Sequence, residues 1–461
     1  MVLLVVLGAG ALAARIAVGA HITDDAYITM RYSRNLSAAG MMSYNPPDAV
    51  LGTSSPLWTV VLVGGAAAGA SLETTAVVVS FLADLTSIAL ILTSPVGASL
   101  AAISAAATIA AWPAYVTYAV SGMETSFYVM AIVWFVTAAS RSRIVAAAIA
   151  ASLASLARPD GALLVVLGVA WLWSVNSKAD AFTFGSVAAL TCLPWTAYAV
   201  VRFGSLIPAS VVAKSAARDP WMLSLENLYA YFFSGIYVWL SVLALVGFVT
   251  LIRSGAEFWG IWSIWAWSYL ASMTIANGFT HFPWYFVPLL PIYTAAATLG
   301  VERLIARAGS VKRIMDAPLA RAAFATFVVA VLLSRMPTLR NYLDSTASGR
   351  ETLYASVATE LAAIDPHCTV AATEIGTIGY YYPGRLLDLV GLVSPEVLGR
   401  PLDSVLAESD ARWVVSYDTH FDRRVATSEA FATIFERRRS IRVGDARRLE
   451  VYERRTPFVC R

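Results

Sequence analysis

The sequence predicts a multi-pass α-helical membrane protein with a small C-terminal extracytoplasmic α/β domain. Two observations predict it. First, the 461-residue chain is 58% hydrophobic and only 14% charged, against roughly 25% charged in an ordinary soluble domain, and its mean hydropathy is +0.66. Second, the charge is unevenly placed. Long apolar runs fill residues 1–335, whereas Arg, Asp and Glu become frequent from 336 onward. A soluble fold of this length cannot hide that much apolar surface, so most of the chain must face lipid. The composition break divides the chain into 1–336 and 337–461, with a polar first outer loop at 21–53. A formal net charge of +3 is too small to point to a nucleic-acid partner.

Spanning helices need ~20 apolar residues. The apolar runs fall at 2–20, 74–93, 97–120, 124–140, 144–157, 161–175, 181–200, 231–252, 257–276, 284–301 and 322–336. No basic stretch precedes the first run, so it reads as an uncleaved span rather than a signal peptide. The run 54–70, SPLWTVVLVGGAAAGAS, is short and Gly-rich.

Lys and Arg in short loops mark the cytoplasmic side. Arg141, Arg143, Lys178, Arg253 and the cluster Arg303, Arg307, Lys312, Arg313 and Arg321 all fall inside if the N-terminus is inside and 54–70 does not cross. The expected topology is therefore eleven crossings plus one juxtamembrane or re-entrant helix. The same parity puts residues 21–36, 121–125, 158–161, 208–220 and 277–286 on the outer face, together with the tail. In the tail, 351–364 has helical periodicity, and 369–373, 385–391, 412–418 and 447–453 read as strands. Cys192 lies in an apolar run and reads as a packing residue. Cys368 and Cys460 are either a disulfide pair of an outer domain or two free thiols. There is no Cys/His cluster of a zinc site.

The adjacent Asp24 and Asp25 are the strongest chemical signal. On a helix, Asp24, Ile28, Arg31 and Asn35 share a face, with Tyr27 beside it. The plain reading is a structural ion pair. The functional reading is a general base, because neighbouring carboxylates and partial burial raise a carboxyl pKa. Glu124 is either a helix-start carboxylate or a ligand contact. Arg158 and Asp160 flank a proline in a tight turn, as interfacial anchors and a helix cap or as a phosphate-binding group. Lys214, His281, Trp284 and Tyr285 lie in outer loops, where solvated charge and an aromatic belt compete with donor binding. No Walker A, Rossmann or HExxH pattern occurs, which points to an activated donor that reaches the site from the bilayer.

The segments DDAYITMRYSRNL and SYNPPDAVLGTSSPLW resemble the first outer loop of GT-C-fold glycosyltransferases, closest to the bacterial arabinofuranosyltransferase branch. SGMETSFY, ARPDG, PASVVAKS, HFPWYFVPLLP and IGYYYPGRLLDLVGL follow in collinear order. Two positions depart from the motifs: Leu51 stands where an acidic residue is expected, and Ala209 where an asparagine is.

The resemblance implies an inverting transferase that takes a sugar, best guess arabinofuranose, from a polyprenyl phosphate to a glycan or glycoconjugate on the outer face. Asp24 or Asp25 would be the base, with Asp24 preferred because Arg31 shares its face. Tyr27, Arg31, Glu124, Arg158, Asp160, Lys214, His281, Trp284 and Tyr285 would bind the donor. Tyr380, Tyr381 and Asp388, with neighbouring Tyr382, would contact the acceptor. A monophosphate donor needs no Mg²⁺ clamp, so no metal is expected to be essential and no cofactor beyond the lipid-linked co-substrate. The competing classes are a transporter or flippase for a lipid-linked sugar, and a non-catalytic envelope protein. A transporter would show paired halves, and no internal repeat is visible.

Overall fold

In the computed structural model the described residues are 1–175, 177–216, 221–235, 237–253, 257–276, 282–305, 317–417, 421, 425–443 and 447–455. The chain is mostly helical with one small sheet. It divides into two compact units. The first comprises Met1–Ala20, Ala76–Trp195 and Arg218–Arg340; the second comprises His21–Thr75, Thr196–Ala217 and Asn341–Arg461. The composition break near 336 thus lies close to a unit boundary, but the tail does not stand alone. His21–Thr75 and Thr196–Ala217 close into the same unit with it.

The first unit is a helical bundle. Four helices among the described residues are long and apolar enough to cross a membrane: Leu72–Thr93, Lys178–Phe203, Pro283–Leu304 and the helical run Pro318–Ile364. That run has 47 residues, about 70 Å at 1.5 Å per residue, so only part of it fits the ~30 Å hydrocarbon layer. Counting each of two bent pairs as one, up to six helices among the described residues are long and apolar enough to cross. Val2–Val18, Thr125–Ala139, Ile144–Ala157 and Pro159–Ser174 are shorter apolar helices. Two expected spans are not straight. The run 97–120 breaks into Leu100–Ala111 and Pro113–Ala119 with a 51° bend, because Pro113 has no N–H to continue the ladder. Residues 231–233 belong to Trp221–Phe233, which turns by 94° into the next helix. Gly235, with φ 56°, supplies the left-handed residue at that corner.

Small residues set the bundle's spacing. A Cβ on Gly247 would lie 1.7 Å from the Ala296 carbonyl oxygen, and one on Gly300 would lie 2.0 Å from that of Leu243. Tyr237–Arg253 and Leu290–Ile305 thus pack backbone to backbone.

A charged pair is buried in this bundle. Arg15, on Val2–Val18, donates from Nη2 to Asp84 Oδ2 at 2.6 Å and to the Ile109 carbonyl at 2.9 Å; its Nη1 donates to the carbonyls of Ala110 and Ala11. Tyr115 donates its hydroxyl to the other Asp84 oxygen at 2.7 Å. Ile109 is four residues before Pro113, so proline leaves its carbonyl without a helical donor. The guanidinium fills that vacancy at the C-terminal, electronegative end of Leu100–Ala111.

In the second unit the sheet has the order β2-β1-β3-β5-β4, with β1 Thr369–Ala372, β2 Leu386–Asp388, β3 Ala411–Ser416, β4 Phe435–Val443 and β5 Arg447–Arg454. β1 pairs in parallel with β2 and β3; β5 pairs antiparallel with β3 and β4. Four of these strands and the helix Gly349–Ile364 match the expected positions. β4 was not expected. Its Arg437–Arg439 run hides the period-two pattern, and a register shift between Arg437 and Arg439 disrupts it further. Charge on an edge strand is an ordinary guard against edge pairing. Pro56–Ala67 has 12 residues, about 18 Å, too short for a full crossing. Cys368 is disulfide-bonded and Cys192 is a free thiol; Cys460 lies outside the described residues.

Candidate active site

The second unit brings the aspartate pair to the carboxyl end of β1. Asp24 and Asp25 open the helix Asp24–Ala39, as the polar periodicity predicts. The Asp24 carboxylate is buried at 5% exposure. Its Oδ2 accepts from Gly376 N at 2.9 Å and its Oδ1 from Thr377 N at 2.7 Å. Its own amide donates to Glu351 Oε1 at 3.3 Å. Asp24 is therefore committed to holding the loop between β1 and the helix Gly376–Tyr381.

Asp25 differs. Among the described residues its carboxylate has no hydrogen-bond or ion-pair partner, and it is only partly buried. Burial pushes its pKa up, the charge of Asp24 adds to that, and Lys214 and Arg350 oppose it. Lys214 stands on Ala209–Ala216 and Arg350 on Gly349–Ile364. Asp25, not Asp24, has a carboxylate available to a ligand, which reverses the preference drawn from the shared face with Arg31.

Arg31 is spent elsewhere. It is 2% exposed and donates from Nε to Tyr44 O at 2.7 Å, from Nη1 to the carbonyls of Gly379 and Tyr382, and from Nη2 to Asn45 Oδ1 and Gly384 O. It ties the first loop to residues 379–384 and has no donor left for a phosphate. Neither the Asp24–Arg31 pair nor the donor-binding role expected of Arg31 is what the structure builds.

Tyr27, Tyr380 and Tyr381 form one aromatic cluster, with ring centroids 4.9 Å apart for Tyr27–Tyr380 and 5.7 Å for Tyr27–Tyr381. Tyr381 is 41% exposed. Tyr382 faces inward, its hydroxyl donating to Asp365 O at 2.9 Å. Asp388 is fully buried and accepts from Val390 N at 2.8 Å and Val393 N at 2.9 Å. It shapes its own loop rather than presenting a carboxylate to an acceptor. The two departures from the family motifs meet: Ala209 N donates to Leu51 O at 2.6 Å.

Sequence reading did not single out Arg350, Glu351 or Glu374. Glu351 Oε1 pairs with Arg350, while its Oε2 is buried without a hydrogen-bond partner among the described residues. Glu374 stands two residues after the end of β1. A backbone approach closes the site: a Cβ on Gly376 would lie 1.7 Å from Asp24 O. Gly376→Ala is expected to destabilise this unit by about 2 kcal/mol or more, read as a lowered thermal midpoint. A midpoint equal to wild type would contradict the packing.

The first unit holds a separate cluster. Arg158 is 3% exposed, and its Nε donates to Asp160 Oδ1 at 3.1 Å. Its Cζ lies 4.5 Å from the Tyr285 ring centroid and 4.9 Å from that of Tyr128. Glu124, 8% exposed at the start of Thr125–Ala139, adds its charge. Arg158 Nη1 and Nη2 and Asp160 Oδ2 are buried without hydrogen-bond partners among the described residues. Four expected residues from three segments thus converge here, with Trp284 next to Tyr285. His281 lies outside the described residues.

Residues 344–453 match a domain family described as a domain of unknown function (DUF8728). No curated protein matches this sequence. Among solved structures, ArnT from Cupriavidus metallidurans in the apo state aligns with a TM-score of 0.62 at 16% identity, covering 97% of each chain. The same protein bound to undecaprenyl phosphate aligns with a TM-score of 0.60 at 16% identity over 99% of each chain. An Archaeoglobus fulgidus oligosaccharyltransferase in complex with Zn and sulfate aligns with a TM-score of 0.56 at 13% identity, over 89% of this chain and 68% of its own. Arabinofuranosyltransferase AftD from Mycobacteria aligns with a TM-score of 0.51 at 16% identity, over 98% of this chain but only 39% of its own.

Proposed function

We propose, from the GT-C fold that this chain shares with these glycosyltransferases, that it is an integral membrane glycosyltransferase with Asp25 as its general base. The donor is a polyprenyl-phosphate sugar, and the acceptor is a glycan or glycoconjugate on the outer face of the cell membrane. The eleven-span topology and the outward-facing tail belong to the same reading. Arabinofuranose as the sugar is supported by the collinear motifs and by the activity that AftD's name carries.

The observation that carries the reading is the Asp25 carboxylate, which has no hydrogen-bond or ion-pair partner among the described residues, next to a committed Asp24 and opposed by two cations. The acceptor hydroxyl gives its proton to Asp25. Its oxygen forms a bond to the anomeric carbon as the bond from that carbon to the phosphate oxygen breaks, with inversion. Polyprenyl phosphate departs with the bonding electrons, and cationic charge stabilises it. Lys214 and Arg350 are the cations that act on Asp25. Tyr27, Tyr380 and Tyr381 offer a stacking face for the acceptor sugar.

Arg158 is the anion-binding candidate of the first unit, because its two terminal nitrogens are desolvated and unspent. Arg158→Lys keeps the charge but loses the fork and the ring stacking. It is expected to raise the donor KM about tenfold, and an unchanged donor KM would remove Arg158 from the donor site.

The test of the whole reading uses purified protein in detergent with farnesyl-phosphoryl arabinofuranose and an arabinan acceptor, with products read by mass spectrometry. Extension of the acceptor is expected. Failure with every polyprenyl-phosphate sugar, together with vectorial movement of the lipid-linked sugar in vesicles, would replace transfer by transport.

A further inference from the structure

Glu374 lies between two anchored points. Just before it, Thr373 N donates to Val415 O at 3.2 Å, and Thr373 Oγ1 accepts from Tyr417 N at 3.2 Å. Just after it, Gly376 and Thr377 are bonded to the Asp24 carboxylate. Its half-buried carboxyl has no hydrogen-bond or ion-pair partner among the described residues. The groups that face it come from two elements. Asp24 and Asp25 stand on the first-loop helix, while Arg350, Glu351 and Tyr354 stand on Gly349–Ile364. Lys214 acts on Asp25 from Ala209–Ala216. Four carboxyl groups therefore crowd around two cations, and one of those cations, Arg350, is already paired with Glu351. Such a cluster, fully ionised, repels any anionic substrate.

We propose that Glu374 acts in its neutral, protonated form as a positioning residue that lets an anionic phosphodiester enter beside Asp25. This rests on the glycosyl-transfer reading above. Burial and the charge of Asp24 push the Glu374 carboxyl up to about 8, against the opposing charge of Arg350. Across neutral pH the group keeps its proton and removes one negative charge from the cluster. Above that value it releases the proton to solvent and the charge returns.

The experiment measures the Kd of farnesyl-phosphoryl arabinofuranose, whose phosphodiester carries one constant charge. The protein is the purified Asp25→Asn variant in detergent, which does not titrate at residue 25, and no acceptor is present, so the donor is not consumed by transfer. Because the Asp25 charge that helps to raise Glu374 is gone, the transition is displaced to lower pH, and from about pH 6 to about pH 9 the Kd is expected to rise about tenfold as Glu374 ionises. Adding Glu374→Gln is expected to flatten that rise, and adding Glu374→Asp to keep a rise. A Kd independent of pH, or an equal rise with Glu374→Gln, would overturn the role of Glu374. If either result comes with wild-type transfer that Asp25→Asn abolishes, the proposed function stands and only this inference falls. No binding at either pH and no transfer by wild type would overturn both.

Discussion

Asp25→Asn is expected to lower kcat of sugar transfer by about 10²- to 10⁴-fold, the usual share of a general base, without lowering the thermal midpoint. The stability arm follows from the sign of its shift. A carboxyl whose folded pKa is raised binds more protons folded than unfolded, so ionising it destabilises the fold as pH rises through that window. Wild type carries this cost at neutral pH and asparagine does not. Asp24→Asn should behave in the opposite way. It replaces one of two oxygens that accept the Gly376 and Thr377 amides with an NH₂ donor, which costs about 1–3 kcal/mol and lowers the midpoint. It also removes the charge that raises Asp25, so the acidic limb of the pH–rate profile should move to lower pH. Transfer by Asp25→Asn at wild-type rate, or an Asp24→Asn protein as stable as wild type, would reverse the two assignments.

Arg15→Met is expected to be the most destabilising single substitution in the first unit. It strands the Asp84 carboxylate, fully buried with Tyr115 as its remaining partner, and it uncovers the Ile109 and Ala110 carbonyls. Breaking one side of a buried pair costs about 3–5 kcal/mol, a fall of order 10 °C in midpoint. Arg15→Met with Asp84→Asn should recover part of the loss, because no unpaired charge remains. A midpoint for Arg15→Met within about a degree of wild type would show that the pair is not what holds the bent helix. The pair also bears on the transport alternative. Charge inside a membrane bundle is often a transport element, but here the guanidinium's two terminal nitrogens and both carboxylate oxygens have fixed partners at a proline bend.

Much of the local structure could be read along the chain. The helices at 144–157 and 351–364, four tail strands and the helix that begins at Asp24 follow from spacing alone. β4 did not, because three successive arginines carry no apolar alternation. The bends at Pro113 and Gly235 could have been expected from the residues themselves. Proline removes a donor and glycine admits a positive φ whatever surrounds them. The candidate site was half legible. The aspartate pair, Glu124, Arg158, Asp160 and the tyrosines stood out as polar residues in an apolar chain. Glu351 and Glu374 did not, since acidic residues are ordinary in a polar tail.

The apolar, membrane-protein character, the small α/β tail, the position of an acidic pair in the first loop and the family resemblance are all legible along the chain. These depend on composition and on periods of 2 and 3.6 residues, which are local properties. Which aspartate is available was decided by tertiary structure alone. Asp24 and Asp25 are neighbours of one residue type, and only amides some 350 positions further along the chain consume one carboxylate and leave the other. The same holds for Arg31, spent on carbonyls of the tail, and for Arg15 and Asp84, paired across 69 residues. Hydrogen bonds and desolvation act through space, and no linear pattern encodes which of two equal side chains they reach.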